Sequence, residues 1–195
     1  TFWYTNEYYD NNGGSPNRTK LWQTRIGSFV LPGCKSTGPS NDLCTDAIDI
    51  GTLTGPPLVV DGTTVNATID SEFENCGTSI TSTGIWYTFE SNLSCISAST
   101  CNTANYDSKI SIYSGDNCGE LICVTGNDDF PGCGLTSFTG PFDGSMMRYY
   151  VLVHGLDDSK GDFTLVISDS SGCAPKKKTK APKVKGRNLR EQKQS

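Results

Sequence analysis

Nine cysteines, a single histidine and an Asn127-Asp128-Asp129 run with Asp107 upstream are the residues of this 195-residue chain most able to do chemistry. No two cysteines stand as CxxC, and His154 is the only imidazole, so zinc-ligand spacing is missing. That many cysteines without metal spacing point to a disulfide framework made in an oxidising compartment. The odd count leaves at least one thiol free or bonded to another chain. A short hairpin would bring Cys118 and Cys123 within bonding distance, about 4.4–6.8 Å between Cα atoms. Connectivity among the rest is open from sequence alone.

Hard carboxylate oxygens suit calcium. Asp107, Asp128 and Asp129 are the ligands expected if such a site exists, although the EF-hand spacing is absent. The same residues suit turn capping by hydrogen bonds to local backbone. The chain has no GxSxG, HExxH or P-loop. His154 sits in a run with alternating apolar residues and reads as an ordinary strand residue. The expectation is no enzyme and no catalytic residue. Three sequons, at Asn17, Asn66 and Asn92, are candidate glycosylation sites in a eukaryotic secreted protein.

The elements that must position these groups read as strands. Ile110 and Ile112 alternate with Lys109, Ser111 and Tyr113. Tyr149, Val151 and Val153 share one face, and Tyr150, Leu152 and His154 the other. Phe163, Leu165 and Ile167 alternate in the same way. Further strands are expected at 57–61, 63–69, 84–90, 93–99, 120–125 and 135–139, with Asp61-Gly62, Ser114-Gly115 and Asp143-Gly144 as turns. Many short strands predict an all-β fold, a two-sheet antiparallel β-sandwich of jelly-roll type stapled by disulfides. Trp86, Phe89, Tyr149, Val151, Phe163 and Leu165 are expected between the sheets.

No apolar stretch reaches the roughly 18 residues that a membrane span needs, so none is expected. Residues 174–195 hold nine Lys/Arg against one Glu, and residues 1–173 hold seven basic against twenty acidic. An acidic body thus carries a basic Lys/Pro-rich tail that cannot bury a core and is expected to be disordered. Lys176-Lys177-Lys178-Thr179-Lys180-Ala181-Pro182-Lys183 resembles the Thr/Lys/Pro linkers of algal, notably diatom, extracellular proteins. Arg187-Asn188-Leu189-Arg190 has the form of a processing site. Residues 1–40 read as an irregular extension. Echoes such as Trp3-Tyr4-Thr5 with Trp86-Tyr87-Thr88 allow them to be the tail of a preceding repeat.

An ordered series of motifs runs through residues 41–169: Asn41-Asp42-Leu43-Cys44-Thr45-Asp46-Ala47; Gly84-Ile85-Trp86-Tyr87-Thr88-Phe89; Tyr106-Asp107-Ser108-Lys109-Ile110-Ser111-Ile112-Tyr113; Cys118-Gly119-Glu120-Leu121-Ile122-Cys123; Tyr150-Val151-Leu152-Val153-His154-Gly155. The series resembles the pre-peptidase C-terminal domain family and its cysteine-rich extracellular relatives. That resemblance implies a β-sandwich that rides beside other domains and binds things, with Cys44 joined to Cys76 and Cys101 to Cys133. Cys34 and Cys173 flank the domain and are then the candidates for a further pair, which leaves Cys95 for an interchain bond. The functional expectation is a non-catalytic binding or assembly module of a larger secreted or cell-surface protein. Its partners would be extracellular proteins, copies of itself or glycans, and not nucleic acid. The alternative is an accessory, substrate-targeting domain of a secreted hydrolase.

Overall fold

The computed structural model describes two N-terminal strands, residues 38–145 and residues 148–173. The N-terminal strands, β1 (Phe2–Tyr9) and β2 (Trp22–Phe29), pair antiparallel with each other. This corrects the expectation of an irregular extension. Both strands are rich in aromatic residues but show no strict alternation, so periodicity does not reveal them. The basic tail, Cys34 and Asn17 lie outside the described residues.

The body holds eight strands: β3 (Ile48–Leu53), β4 (Leu58–Thr63), β5 (Gly84–Ser91), β6 (Ile96–Ser99), β7 (Ser108–Ser114), β8 (Ile122–Asn127), β9 (Arg148–Gly155) and β10 (Asp162–Asp169). Five form one sheet in the order β3-β5-β9-β7-β8, and three form the other in the order β4-β10-β6. Every pairing is antiparallel except β3 with β5, which is parallel and interrupted by a bulge between Asp49 and Thr52. Gly51, at φ +96°, takes the left-handed conformation there, open to glycine at little cost. The chain is all-β and arranged as a β-sandwich.

Strand periodicity explains both faces of the larger sheet. Ile85, Tyr87 and Phe89 of β5, Ile110 and Ile112 of β7, and Tyr149, Val151 and Val153 of β9 point inward. They meet Phe163, Leu165 and Ile167 of β10, which alternate with half-exposed Thr164 and Val166. Phe89 stacks on Tyr149 with ring centroids 5.0 Å apart. Trp86 has the opposite parity and is not between the sheets. It lies on the outer face with Tyr113, Tyr150 and Leu152, under Phe73, Ile80 and Leu121. That second apolar layer makes β5, β7 and β9 buried on both faces, worth about 2 kcal/mol for each large side chain withdrawn from water.

The Asn41-Asp42 motif has a structural role. Asn41 Nδ2 donates to Trp86 O at 2.8 Å, and Trp86 N donates to Asn41 O at 2.9 Å. Asp42 accepts from the backbone N and hydroxyl of Thr68. Together they pin the entering chain beside β5. Of the other expected strands, 63–69 keeps only Thr63, the end of β4, with 64–69 as turn and loop, and 135–139 makes only the isolated bridge Ser99↔Phe138.

Four disulfides cross-link the body: Cys44–Cys118, Cys76–Cys123, Cys95–Cys173 and Cys101–Cys133. The last is the pair the family resemblance implied, and the other three correct the expectations. Cys118 does not bond Cys123, because β7 and β8 pair through Ser114↔Ile122 and leave Cys118 in the connecting loop, 115–121, that reaches Cys44. Cys123 stands opposite Tyr113 on β8 and shares its outward face. Cys76, expected on Cys44, instead crosses that face, its Sγ 3.1 Å from Ile112 O and its carbonyl accepting from Ser111 Oγ. The crossing requires Gly126, where a Cβ would stand 1.9 Å from Cys76 O. Cys95 is not left for another chain, nor is Cys173 on Cys34. Asp169 pairs with Ile96, and the chain beyond β10 brings Cys173 onto Cys95. Eight of the nine cysteines are thereby used, and the remaining one is Cys34.

Candidate functional site

The carboxylates singled out by type come together in space. Asp107 precedes β7, and Asp128 and Asp129 follow β8. The register Ile110↔Asn127 therefore sets all three at one end of this strand pair. Their ligand atoms lie within 4.8 Å of one another, the one such acidic group among the described residues. The loop after β8 is pinned. Ser137 Oγ contacts the carbonyls of Ser108 (2.6 Å), Asn127 (3.0 Å) and Asp128, and Cys133 in the same loop is bonded to Cys101. Phe130 packs on Phe138 with centroids 4.9 Å apart.

One cation already faces this cluster. Lys109 is 1% exposed, and its Nζ lies 3.3 Å from Asp128 Oδ2, with Ser79 O and Oγ completing its contacts. Three carboxylates against one ammonium leave an excess of negative charge. Asp107 is held above the usual carboxylate range, first by loss of solvent and then by Asp129 and Asp128, with Lys109 opposing. Asp107 Oδ1 and Asp128 Oδ1 are buried and accept no hydrogen bond. Orphaned acceptors on adjoining carboxylates are what a hard divalent cation would satisfy, so the donor set fits calcium. Calcium takes six to eight oxygens, so carbonyls or water would supply the remainder.

His154 and Asp70 are buried ionisable groups on the outer face of the larger sheet. His154 is wholly buried, with Nε2 3.2 Å from Ser111 Oγ. The hydroxyl proton of Ser111 goes to Cys76 O, so the imidazole proton belongs on Nε2. Burial, then Lys109, push His154 down to about 3, and it stays neutral. Neither side chain of this Ser–His contact meets solvent. Asp70 Oδ1 accepts from Trp86 Nε1 at 2.9 Å, while Oδ2 is buried with no hydrogen bond. Burial raises Asp70 to about 7, with Glu72 and Asp42 adding and the Trp86 bond opposing. No pattern around Asp70 in the sequence marks it, because its partner lies sixteen residues away on another element.

No family model, no curated protein and no solved structure matches the chain. The family resemblance rests on the motif series alone.

A cleft of about 700 Å³ lies over β4 and β10 and is lined by polar groups including Asp61, Thr103, Asn105, Asp162 and Thr164. The sequons are placed differently. Asn66, at φ +65°, and Asn92 are both exposed in turns between strands. No helix among the described residues is long and apolar enough to cross a membrane.

Proposed function

We propose that this chain is a non-catalytic, tension-bearing module of a larger extracellular assembly, working by binding and cross-linked rigidity and not by turnover. The observation that carries the reading is the connectivity of the disulfides. From Cys44 the covalent route jumps to Cys118, follows the backbone to Cys133, jumps to Cys101, follows the backbone back to Cys95 and jumps to Cys173. Only the segments 95–101 and 118–133 therefore lie on the shortest covalent path between Cys44 and Cys173. Tension applied across the domain would be taken up by this short path, with most of the sequence held in side loops. Intrachain disulfides also favour an oxidising, extracellular setting. Membership of the pre-peptidase C-terminal domain family agrees with such a role and is proposed on its motifs.

Partners would be extracellular proteins, copies of this chain or glycans. The polar cleft over β4 and β10 offers carboxylate, amide and hydroxyl groups that suit a polyhydroxylated ligand. Glycans on Asn66 and Asn92 would project from turns without meeting the core. An interchain disulfide, where one forms, would use Cys34, the cysteine the four internal bonds leave over.

Calcium is proposed at Asp107, Asp128 and Asp129, where it would neutralise the three carboxylates and lock the loop after β8 against the start of β7. Millimolar calcium is then expected to raise the melting temperature by several degrees, and Asp129→Asn to abolish that rise without lowering the calcium-free melting temperature, since it removes a like charge beside Asp107. A ligand-linked shift of about 2.7 kcal/mol corresponds to calcium at a hundred times its dissociation constant. Equal melting with calcium and with chelator in the parent chain would remove calcium from the account and leave the tension-bearing reading standing.

A further inference from the structure

The body is far more acidic than the whole chain. Residues 38–173 carry eighteen Asp/Glu against Lys109, Arg148 and Lys160, and Lys109 is buried. The compensating charge is segregated into residues 174–195, with nine Lys/Arg and one Glu. Such segregation is costly for a compact acidic body, which repels itself, and it is relieved wherever the basic segment can settle.

One groove on the body has the chemistry to receive lysine. It measures about 390 Å³ on the outer face of the larger sheet and is lined by the segment Glu72–Glu74, by Gly119 and Leu121, and by Tyr113. The Tyr113 hydroxyl donates to Glu74 O at 2.7 Å, so its polar end is already engaged. The disulfides Cys44–Cys118 and Cys76–Cys123 border it and hold its walls. A lysine stem would lie on the rings of Phe73 and Tyr113 and on Leu121 while its ammonium reached Glu72 or Glu74. No basic side chain lines the groove. The unbalanced field there is felt by Asp70, whose proton Glu72 and Asp42 help to retain.

We propose that the lysine-rich segment Lys176–Lys185 of this same chain docks in the groove between Glu72–Glu74 and Gly119–Leu121, covering the outer face of the larger sheet. Reach favours the far half of the segment: the twelve residues from Cys173 to Lys185 span about 40 Å when extended, comparable to the roughly 35–40 Å width of a body this size, whereas the three to Lys176 span only about 10 Å. Single ion pairs at such a surface are weak and screened by salt. Attachment through Cys173 makes the encounter intramolecular, so several weak contacts suffice to populate it. The contact goes beyond the tension-bearing reading and does not depend on it.

The test is zero-length carbodiimide cross-linking of the full chain at low salt, with peptide mapping of the monomer. Amide bonds are expected mainly from Lys180, Lys183 or Lys185 to Glu72 or Glu74, falling at least fivefold in 0.5 M salt. Glu72→Gln/Glu74→Gln should remove them and leave residual cross-links on other carboxylates unchanged. Its melting temperature is the check that the fold survives, since both side chains are exposed. Cross-links spread evenly over the body's carboxylates, cross-links only between different chains, or none at all would each overturn the proposal.

Discussion

Cys44→Ala/Cys118→Ala, made together, is expected to lower the unfolding free energy by about 3–4 kcal/mol. With the other disulfides intact, this bond closes a loop that runs from Cys44 to Cys76, crosses to Cys123 and returns through Ile122 and the loop before β8 to Cys118. A loop of about 37 residues is what the denatured chain regains when the bond is lost, and its entropy sets the estimate. Cys44 is also buried in the outer apolar layer with Trp86 and Tyr150, so its loss loosens packing there. At a urea sensitivity of about 2 kcal/mol per molar, the unfolding midpoint should fall by about 1.5–2 M under non-reducing conditions. Cys34→Ala, which touches none of the four internal bonds, should leave the midpoint in place. A double variant that unfolds with the parent would show that this cross-link constrains nothing.

Opposed pH dependences hidden in the parent should appear when either Asp70 or His154 is replaced. Asp70 titrates near 3.8 in the unfolded chain and near 7 in the fold. Between those values the unfolded state has lost its proton and the folded state has kept it, so stability falls as pH rises. His154 does the reverse. Unfolded, it takes a proton below about 6.5, while in the fold it stays neutral down to about 3. Stability therefore rises with pH over nearly the same window. Each acts with up to about 1.4 kcal/mol per pH unit, and in the parent they largely cancel between about pH 4 and 6.5. Asp70→Asn keeps an acceptor for Trp86 Nε1 and should leave a stability that climbs with pH more steeply than the parent's. His154→Asn should tilt the curve the other way. The quantity to measure is the difference in chemical-denaturation free energy, variant minus parent, at several pH values, in which the remaining carboxylates drop out. An Asp70→Asn curve parallel to the parent's would mean that Asp70 is ionised in the fold.

Much of this architecture is legible in the sequence, and the exceptions have physical causes. Alternation in Tyr149–His154 and Phe163–Ile167 reads directly because each strand has two distinct faces. Placing both Trp86 and Phe89 in the inter-sheet core fails, because residues three apart on one strand must face opposite ways. The second apolar layer is not legible in the sequence, because its cover comes from loop residues such as Phe73 and Ile80, which show no period. β3 escapes a periodicity reading because Gly51 and the bulge break its alternation. Disulfide partners depend on where loops travel in space. Cys118 is a near neighbour of Cys123 in the sequence and yet reaches Cys44, at a separation of 74. Asp107, Asp128 and Asp129 could be grouped from sequence because they flank neighbouring strands, so their closeness follows once β7 and β8 pair. Asp70 and Ser111 could not, since each acquires its role only by being sealed under another segment.

The function proposed for this chain depends on cross-links that turn a long domain into a short tether. Single-molecule extension of the full chain, pulled from its two ends before and after reduction, tests that most directly. Between Cys44 and Cys173, about 108 residues lie off the shortest covalent path, so at about 3.5 Å per residue reduction should lengthen the fully extended chain by about 380 Å. An unreduced chain that extends to the same length as the reduced one would contradict it.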